Sequence, residues 1–444
     1  MVRLGLLVLL IVFAFTSQTE AQKPTREEKV RSDRARIEGE GFWIYNDLKK
    51  GFQEAALTGK PLLVVLRCIP CEECVKLDDD LLEEDPEIQK LLKEYVCVRQ
   101  VSTNGIDLSI FQYDTDQSFA VFLLNADGTI YGRYGTRSHR TDWEDDVSIT
   151  GLEKALEKGL ELHDNYPENK AALAGKTGPK PLFASPEQYP LHRDKFTDKI
   201  NYAGDVVRSC IHCHQIGDAE RAFYRSAGKP IPEKVLFPYP HPKALGLVLD
   251  PETLSTVKSV EPGTIAEKSG LQQGDKIQTL NGQPILSIAD IQWVLHQTSP
   301  DGGEVTAAVQ RDGVEKSLTI SLPKGWRRLD DIGWRVSSWP MRRMALGGLK
   351  LEEVPAEEKR RLKIAEDKMA LRVAHVGQYG PHAAAKRAGF QKEDIIVEYD
   401  GRNDLLRDGD LLAYGVTARK PGEKVSVTIL RNGRRLTKTL PMQE

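Results

Sequence analysis

The chain has 444 residues, 40% hydrophobic, 29% charged and 7% aromatic. That globular balance excludes wholesale disorder, and at about 100 to 200 residues per domain it implies two to four domains. With 62 Lys+Arg against 65 Asp+Glu the net charge is -3, so there is no overall basic field to gather nucleic acid.

The N-terminus reads as a secretory signal peptide over residues 1–21. Arg3 precedes an apolar run from Leu4 to Phe15, and Ala21 offers a small residue before Gln22. The run is shorter than the roughly 20 residues that span a bilayer. Export to the periplasm or cell exterior is expected, with no membrane span after cleavage.

Residues 22–166 alternate helical and strand patterns. Trp43 to Ala56 is expected to be helical, and Lys60 to Arg67 is an apolar run suited to a buried parallel strand. Cys68, Cys71 and Cys74 follow at once. Val75 to Tyr95 returns to helical spacing, and Val96 to Val101 reads as a strand holding an inert Cys97. Phe119 to Leu124 and Thr129 to Tyr134 form a hairpin around Asn125-Ala126-Asp127-Gly128, and a helix from Ile149 to His163 closes the unit. A dithiol at a strand-to-helix turn points to a thioredoxin-like α/β layer, where the helix dipole favours thiolate. Glu72 and Glu73 oppose that shift. The pairing among Cys68, Cys71 and Cys74 is open to three single bridges.

Residues 167–240 are polar and proline-rich around one helical stretch, Lys199 to Arg225, and carry Cys210-Ile211-His212-Cys213-His214. Cys-x-x-Cys-His is the spacing of c-type haem attachment. Two thiols on one helical turn would add to the porphyrin vinyl groups, with His214 as axial ligand. One covalent haem c is therefore expected, with His241 or His192 as sixth ligand. The competing readings are a second thiol pair or half of a zinc site.

The rest of the chain repeats. Ala266 to Ile277 aligns with Ala385 to Ile396 at a constant offset of 119, and Gly282 and Gly401 keep the register. Each copy ends in a strand, a tight turn and a strand: Val305 to Gln310 then Lys316 to Leu322, and Val425 to Leu430 then Leu436 to Leu440. Both copies resemble bacterial PDZ domains, here 241–325 and 345–444. The first places Leu245, Gly246 and Leu247 where such domains hold a peptide C-terminal carboxylate on backbone N–H groups. In the second, the charged insertion Pro355 to Lys368 departs from the pattern. The Trp-rich linker at 326–344 carries Trp326, Trp334 and Trp339 and is expected to pack against a neighbour.

The order of these units resembles the thioredoxin-7-like/PDZ (seleno)protein family, on the run Cys71-Glu-Glu-Cys-Val-Lys-Leu-Asp78 and the PDZ motifs. The resemblance implies a redox role for the cluster, with Cys71 attacking, Cys74 resolving and Cys68 as an additional partner. Thioredoxin-like redox domains place a cis-proline opposite the dithiol; Phe119 stands there here. The expected fold class is thus multidomain, α/β plus β-rich: a thioredoxin-like domain, a small haem-c-like helical segment and two PDZ-like domains.

Two functions follow. The first is an exported redox protein in which dithiol and haem serve electron transfer or thiol-disulfide chemistry while PDZ domain 1 binds partner C-termini or extended peptides. The second is a non-catalytic exported scaffold with structural haem and disulfides. A gas or peroxide sensor would need an open iron position. PDZ domains of this kind often accompany serine proteases, but no Gly-x-Ser-Gly-Gly-type turn occurs, so serine protease activity is not expected.

Overall fold

The computed structural model describes residues 24–67, 69, 85–117, 119–139 and 145–444. The expected signal peptide and Cys68, Cys71 and Cys74 lie outside the described residues.

The first unit begins with α1 (Arg26–Glu40), β1 (Ile44–Tyr45), α2 (Leu48–Thr58), β2 (Leu62–Arg67), α3 (Pro86–Leu92) and β3 (Val96–Gln100). It continues with β4 (Phe119–Leu124), β5 (Ile130–Tyr134) and α4 (Ile149–Asp164). The strands form one sheet in the order β1-β3-β2-β4-β5. β1 and β2 run parallel to β3, while β4 and β5 run antiparallel to their neighbours. Every residue of β2 and β4 is buried, as expected for strands covered on both faces. The expected helix from Trp43 starts only at Leu48. Asn46 adopts a positive φ of 53°, Asp47 caps the helix by accepting the Lys50 N–H at 3.0 Å, and Ile44–Tyr45 pair with Val98–Arg99 instead.

The expected single helix from Lys199 to Arg225 is two: α5 (Val206–Ser209) and α6 (Cys213–Ser226). Residues 210–212 are extended because the end of β3 competes for their backbone. Thr103 N–H donates to Ile211 O at 3.1 Å, and Ile211 N–H donates to Asn104 Oδ1 at 2.8 Å. Nor is 167–240 a separate haem unit. Cys213, Ile216 and Ala219 belong to the same apolar cluster as Phe111, Tyr113 and Phe122, so this polar segment borrows the thioredoxin-like core.

The first β-rich module holds β6 (Leu247–Leu249), β7 (Val257–Val260), β8 (Lys276–Leu280), β9 (Gln283–Pro284), α7 (Ile288–Gln297), β10 (Gly303–Arg311) and β11 (Val314–Leu322). The second opens with α8 (Ser338–Leu346), then β12 (Leu349–Glu353), β13 (Leu371–Val376) and β14 (Ile395–Tyr399). It ends with α9 (Asp408–Ala418), β15 (Lys424–Arg431) and β16 (Arg434–Pro441). The sequence repeat is a structural one. Arg311 Nε meets Asp275 at 2.6 Å and Arg431 Nε meets Asp394 at 2.6 Å. Each Arg also donates to the glycine carbonyl of its copy, Gly270 at 2.7 Å or Gly389 at 2.8 Å.

The Trp-rich linker packs as expected. Trp326 is buried in the first module and donates to Ser299 O at 2.9 Å. Arg335, also buried, reaches Asp114 of the thioredoxin-like unit at 2.6 Å, and Ser337 Oγ donates to Asp116 at 2.7 Å.

Candidate functional sites

The thiol end of the thioredoxin-like sheet is described up to Arg67 and again at Ile69, which is buried with Val101 and Val206. Phe119 sits directly opposite Arg67 in the β2–β4 ladder, at the position the sequence aligns with the cis-proline of thioredoxin-like redox domains. Cys97 is buried on β3, its thiol donating to Leu92 O at 3.3 Å; burial pushes its pKa up, as suits an inert thiol.

Cys210, Cys213 and His214 do not fit a haem. Cys210 closes α5 and Cys213 opens α6, so the thiols are not on one helical turn. Both are buried. Cys210 Sγ lies 3.9 Å from Val101 O, and burial pushes its pKa up to about 11. A cavity of about 260 Å³ runs beside α6, lined by Ile216, Gly217, Glu220 and Tyr224, but neither thiol nor His214 lines it. His214 Nδ1 sits 3.3 Å from Asp218. The expected sixth ligands are engaged elsewhere: His192 Nδ1 is 2.9 Å from Pro186 O, and His241 Nε2 is 3.3 Å from Asp146. Among the described residues, no three or more His, Cys, Asp or Glu side chains are grouped to hold a metal ion.

In the first module the loop expected to hold a peptide C-terminus runs into β6, which is hydrogen-bonded only to β7 among the described residues. Leu245, Gly246 and Leu247 are all buried. Two of the loop's N–H groups are bonded locally, with Ala244 donating to His241 O and Gly246 to Lys243 O, each at 2.9 Å. The helix that should wall the groove, α7, is buried from Ile288 through Leu295. The thioredoxin-like unit and the segment behind it hold that helix. Asp290 accepts the Arg133 N–H at 3.2 Å and pairs with Lys176 at 2.9 Å. Gln292 accepts from Thr136 and donates to Tyr239 O at 3.0 Å. Trp293 Nε1 donates to Gly175 O at 2.9 Å, and Tyr239 stacks on His296 with centroids 3.9 Å apart.

The second module likewise presents an edge strand. β12 is an edge strand, hydrogen-bonded only to β13 among the described residues. Val354 N–H donates inward to Ala370 O at 3.0 Å, so by strand alternation the N–H groups of Leu351 and Glu353 face the free edge. Leu351 N–H faces the carboxylate of Asp408, at the start of α9. Burial raises the Asp408 pKa to about 6, against the lowering effect of Arg342 on α8. Beside this edge lies a cavity of about 540 Å³, walled by Trp334, Trp339, Arg342, the residues 350–353 of β12, and Ser138 and His139 of the first unit. Sequence reasoning missed this site; the signal available was the pair Trp334 and Trp339 just ahead of the second repeat.

Comparison with known proteins agrees with the two architectures. Residues 43–126 match the thioredoxin-like family model, and residues 244–322 match the PDZ domain model. A probable periplasmic serine endoprotease DegP-like of Pseudomonas savastanoi pv. phaseolicola is 28% identical over 182 residues, covering 40% of this chain and 35% of the relative. Serine protease Do-like HtrB of Bacillus subtilis is 38% identical over 68 residues, 15% of each chain. The chain spans about a third of the length of the DegP-like relative. Among solved structures, HtrA-type protease AlgW with tripeptide shows 19% identity and a TM-score of 0.20, over 31% of this chain and 48% of that one. These relatives overturn the expectation that set the chain apart from serine proteases, since the curated proteins it matches carry that name. They are also named as periplasmic. No helix among the described residues is long and apolar enough to cross a membrane.

Proposed function

We propose that the protein is an exported polypeptide-binding redox protein. The second module captures an extended segment by adding it as a strand to β12, and thiol-disulfide chemistry belongs to Cys68, Cys71 and Cys74. The free edge of β12 beside a cavity of about 540 Å³ carries this reading. An edge strand offers main-chain hydrogen bonds for affinity, while neighbouring side-chain pockets supply selectivity. The half-buried Trp339 lines the cavity and reports occupancy. Export is supported by the apolar N-terminal run and the periplasmic relatives. This reading assigns no haem and takes the buried Cys210 and Cys213 as a second thiol pair.

The test is a titration of decapeptides of alternating apolar and polar residues, followed by Trp339 fluorescence. Glu353→Pro is the control, because it removes an edge donor and leaves the ladder to β13 intact. Saturable quenching that the proline variant loses supports the function. Quenching indifferent to Glu353→Pro refutes it.

A second reading, a scaffold without thiol turnover, is favoured by Phe119 opposite Arg67. Insulin disulfide reduction unchanged in Cys71→Ser would select it.

A further inference from the structure

We propose that the cavity beside α6 binds a free α-amino acid with an apolar side chain, its ammonium group held by Glu220 and the hydroxyls of Tyr189, Tyr224 and Tyr239. The cavity, of about 260 Å³, lies where three parts of the chain meet: Phe111 of the thioredoxin-like unit, α6 with the segment around it, and His296 near the end of α7. Its volume is just below the about 300–1,000 Å³ of pockets for drug-sized ligands, which suits a molecule of amino-acid size.

The polar groups on its wall are the ones the fold leaves unpaired. Tyr189 and Tyr239 are 3% and 9% exposed. Among the described residues, no hydrogen bond or ion pair reaches their hydroxyls, the hydroxyl of the half-buried Tyr224 or the carboxylate of the half-buried Glu220. Buried polar groups are ordinarily paired, so this cavity is short of a partner. The groups also lie together. Burial first, and the Glu220 charge next, raise the pKa of Tyr189 and of Tyr224, and the same charge acts on Tyr239. Burial holds the Glu220 carboxyl above the ordinary carboxylate range against the lowering effects of Arg221 and Lys234, as expected without a close counter-ion.

What these groups share is the capacity to accept. A carboxylate only accepts and a tyrosine hydroxyl can accept, whereas an ammonium offers three donors and no acceptor. The cations on the wall do not fill that role. Arg221 is engaged by Asp218 at 2.8 Å. Burial holds the His296 pKa well below its ordinary value, and its Nδ1 accepts the Tyr239 N–H at 3.2 Å. Lys180 and Lys234 line the cavity but are exposed, and neither makes an ion pair among the described residues. They leave two cations for the carboxylate of the same ligand, while Phe111 and Ile216 offer its side chain an apolar wall.

The test is isothermal titration calorimetry of the full chain with L-phenylalanine, with 3-phenylpropionate, which lacks the ammonium, and with phenethylamine, which lacks the carboxylate. L-Phenylalanine should bind at least about tenfold more tightly than either analogue, the loss expected when charge-assisted hydrogen bonds are removed. Glu220→Gln keeps the shape of the wall. It should weaken L-phenylalanine by about tenfold and leave 3-phenylpropionate unchanged. The comparison of the three compounds needs no variant, so it stands whether or not Glu220→Gln folds. No binding of L-phenylalanine, or equal binding of L-phenylalanine and 3-phenylpropionate, overturns the inference. A folded Glu220→Gln protein that binds L-phenylalanine undiminished overturns it too, and phenethylamine binding as tightly as L-phenylalanine overturns the assignment to an amino acid.

Discussion

Arg342 of α8 is ion-paired with Asp408 at the start of α9, and the same carboxylate faces the N–H of Leu351 on the free edge of β12. One charged pair thus ties α8 to the strand a ligand would join. The Asp408 pKa, raised to about 6 mainly by burial, lies above its ordinary value of 3.8, so the folded state binds the proton more tightly than the unfolded chain. Stability from this group is present at low pH and is lost as pH rises through about 4 to 6. Asp330, raised to about 6 mainly by burial, has the same sign. Asp146 is depressed by His241 and Lys243 against the opposing effect of burial, so its contribution is lost as pH falls below the ordinary carboxylate range. The melting temperature should therefore rise as pH is lowered from 7 to about 5 and fall again in stronger acid. Asp408→Asn should flatten the upper limb, and an unchanged upper limb in both Asp408→Asn and Asp330→Asn would contradict these assignments.

A Cβ at Gly415 would stand 2.5 Å from the Cβ of Ala345, so α8 and α9 touch where no side chain fits between them. Gly415→Val should destabilise the second module by about 1–3 kcal/mol, the usual cost of overpacking. Thermal unfolding measures it. A neutral result would mean that α8 does not seat on α9 as described.

Lys176 and Asp290 are each 1% exposed and 2.9 Å apart. Asp290→Ala strands the Lys176 charge and should cost about 3–5 kcal/mol. Because the pair joins α7 to the 167–240 segment, which shares the thioredoxin-like core, that core and the first module should lose stability together in one denaturant transition. Two separated transitions, with only the first module affected, would contradict the joint.

Cys97, Cys210 and Cys213 are buried, with thiol pKa values pushed up by desolvation. They should resist iodoacetamide in the native protein and all be alkylated in denaturant, as read by peptide mass spectrometry. A thioether-bound haem would leave Cys210 and Cys213 unlabelled under both conditions, which would contradict the fit described.

Strands β2 and β4 were legible because each is a short, almost entirely apolar run, whereas β1 was hidden in an expected helix because its pairing with β3 is long-range. The repeat was legible for a similar reason: Asp275 and Asp394 sit in the same local turn chemistry at a fixed offset. What local pattern could not show is long-range. Thr136 and Gln292 are separated by 156 residues, and nothing around Leu245 to Leu247 signals that α7 is already occupied. The break at Cys210 likewise depends on Asn104, far back in the chain.

Backbone amide hydrogen exchange with saturating decapeptide tests the central claim most directly. Strand addition to β12 predicts slowed exchange at Glu353, with Leu245, Gly246 and Leu247 unchanged. Slowed exchange confined to Leu245–Leu247, with the β12 edge unaffected, would place the ligand in the first module and contradict the account.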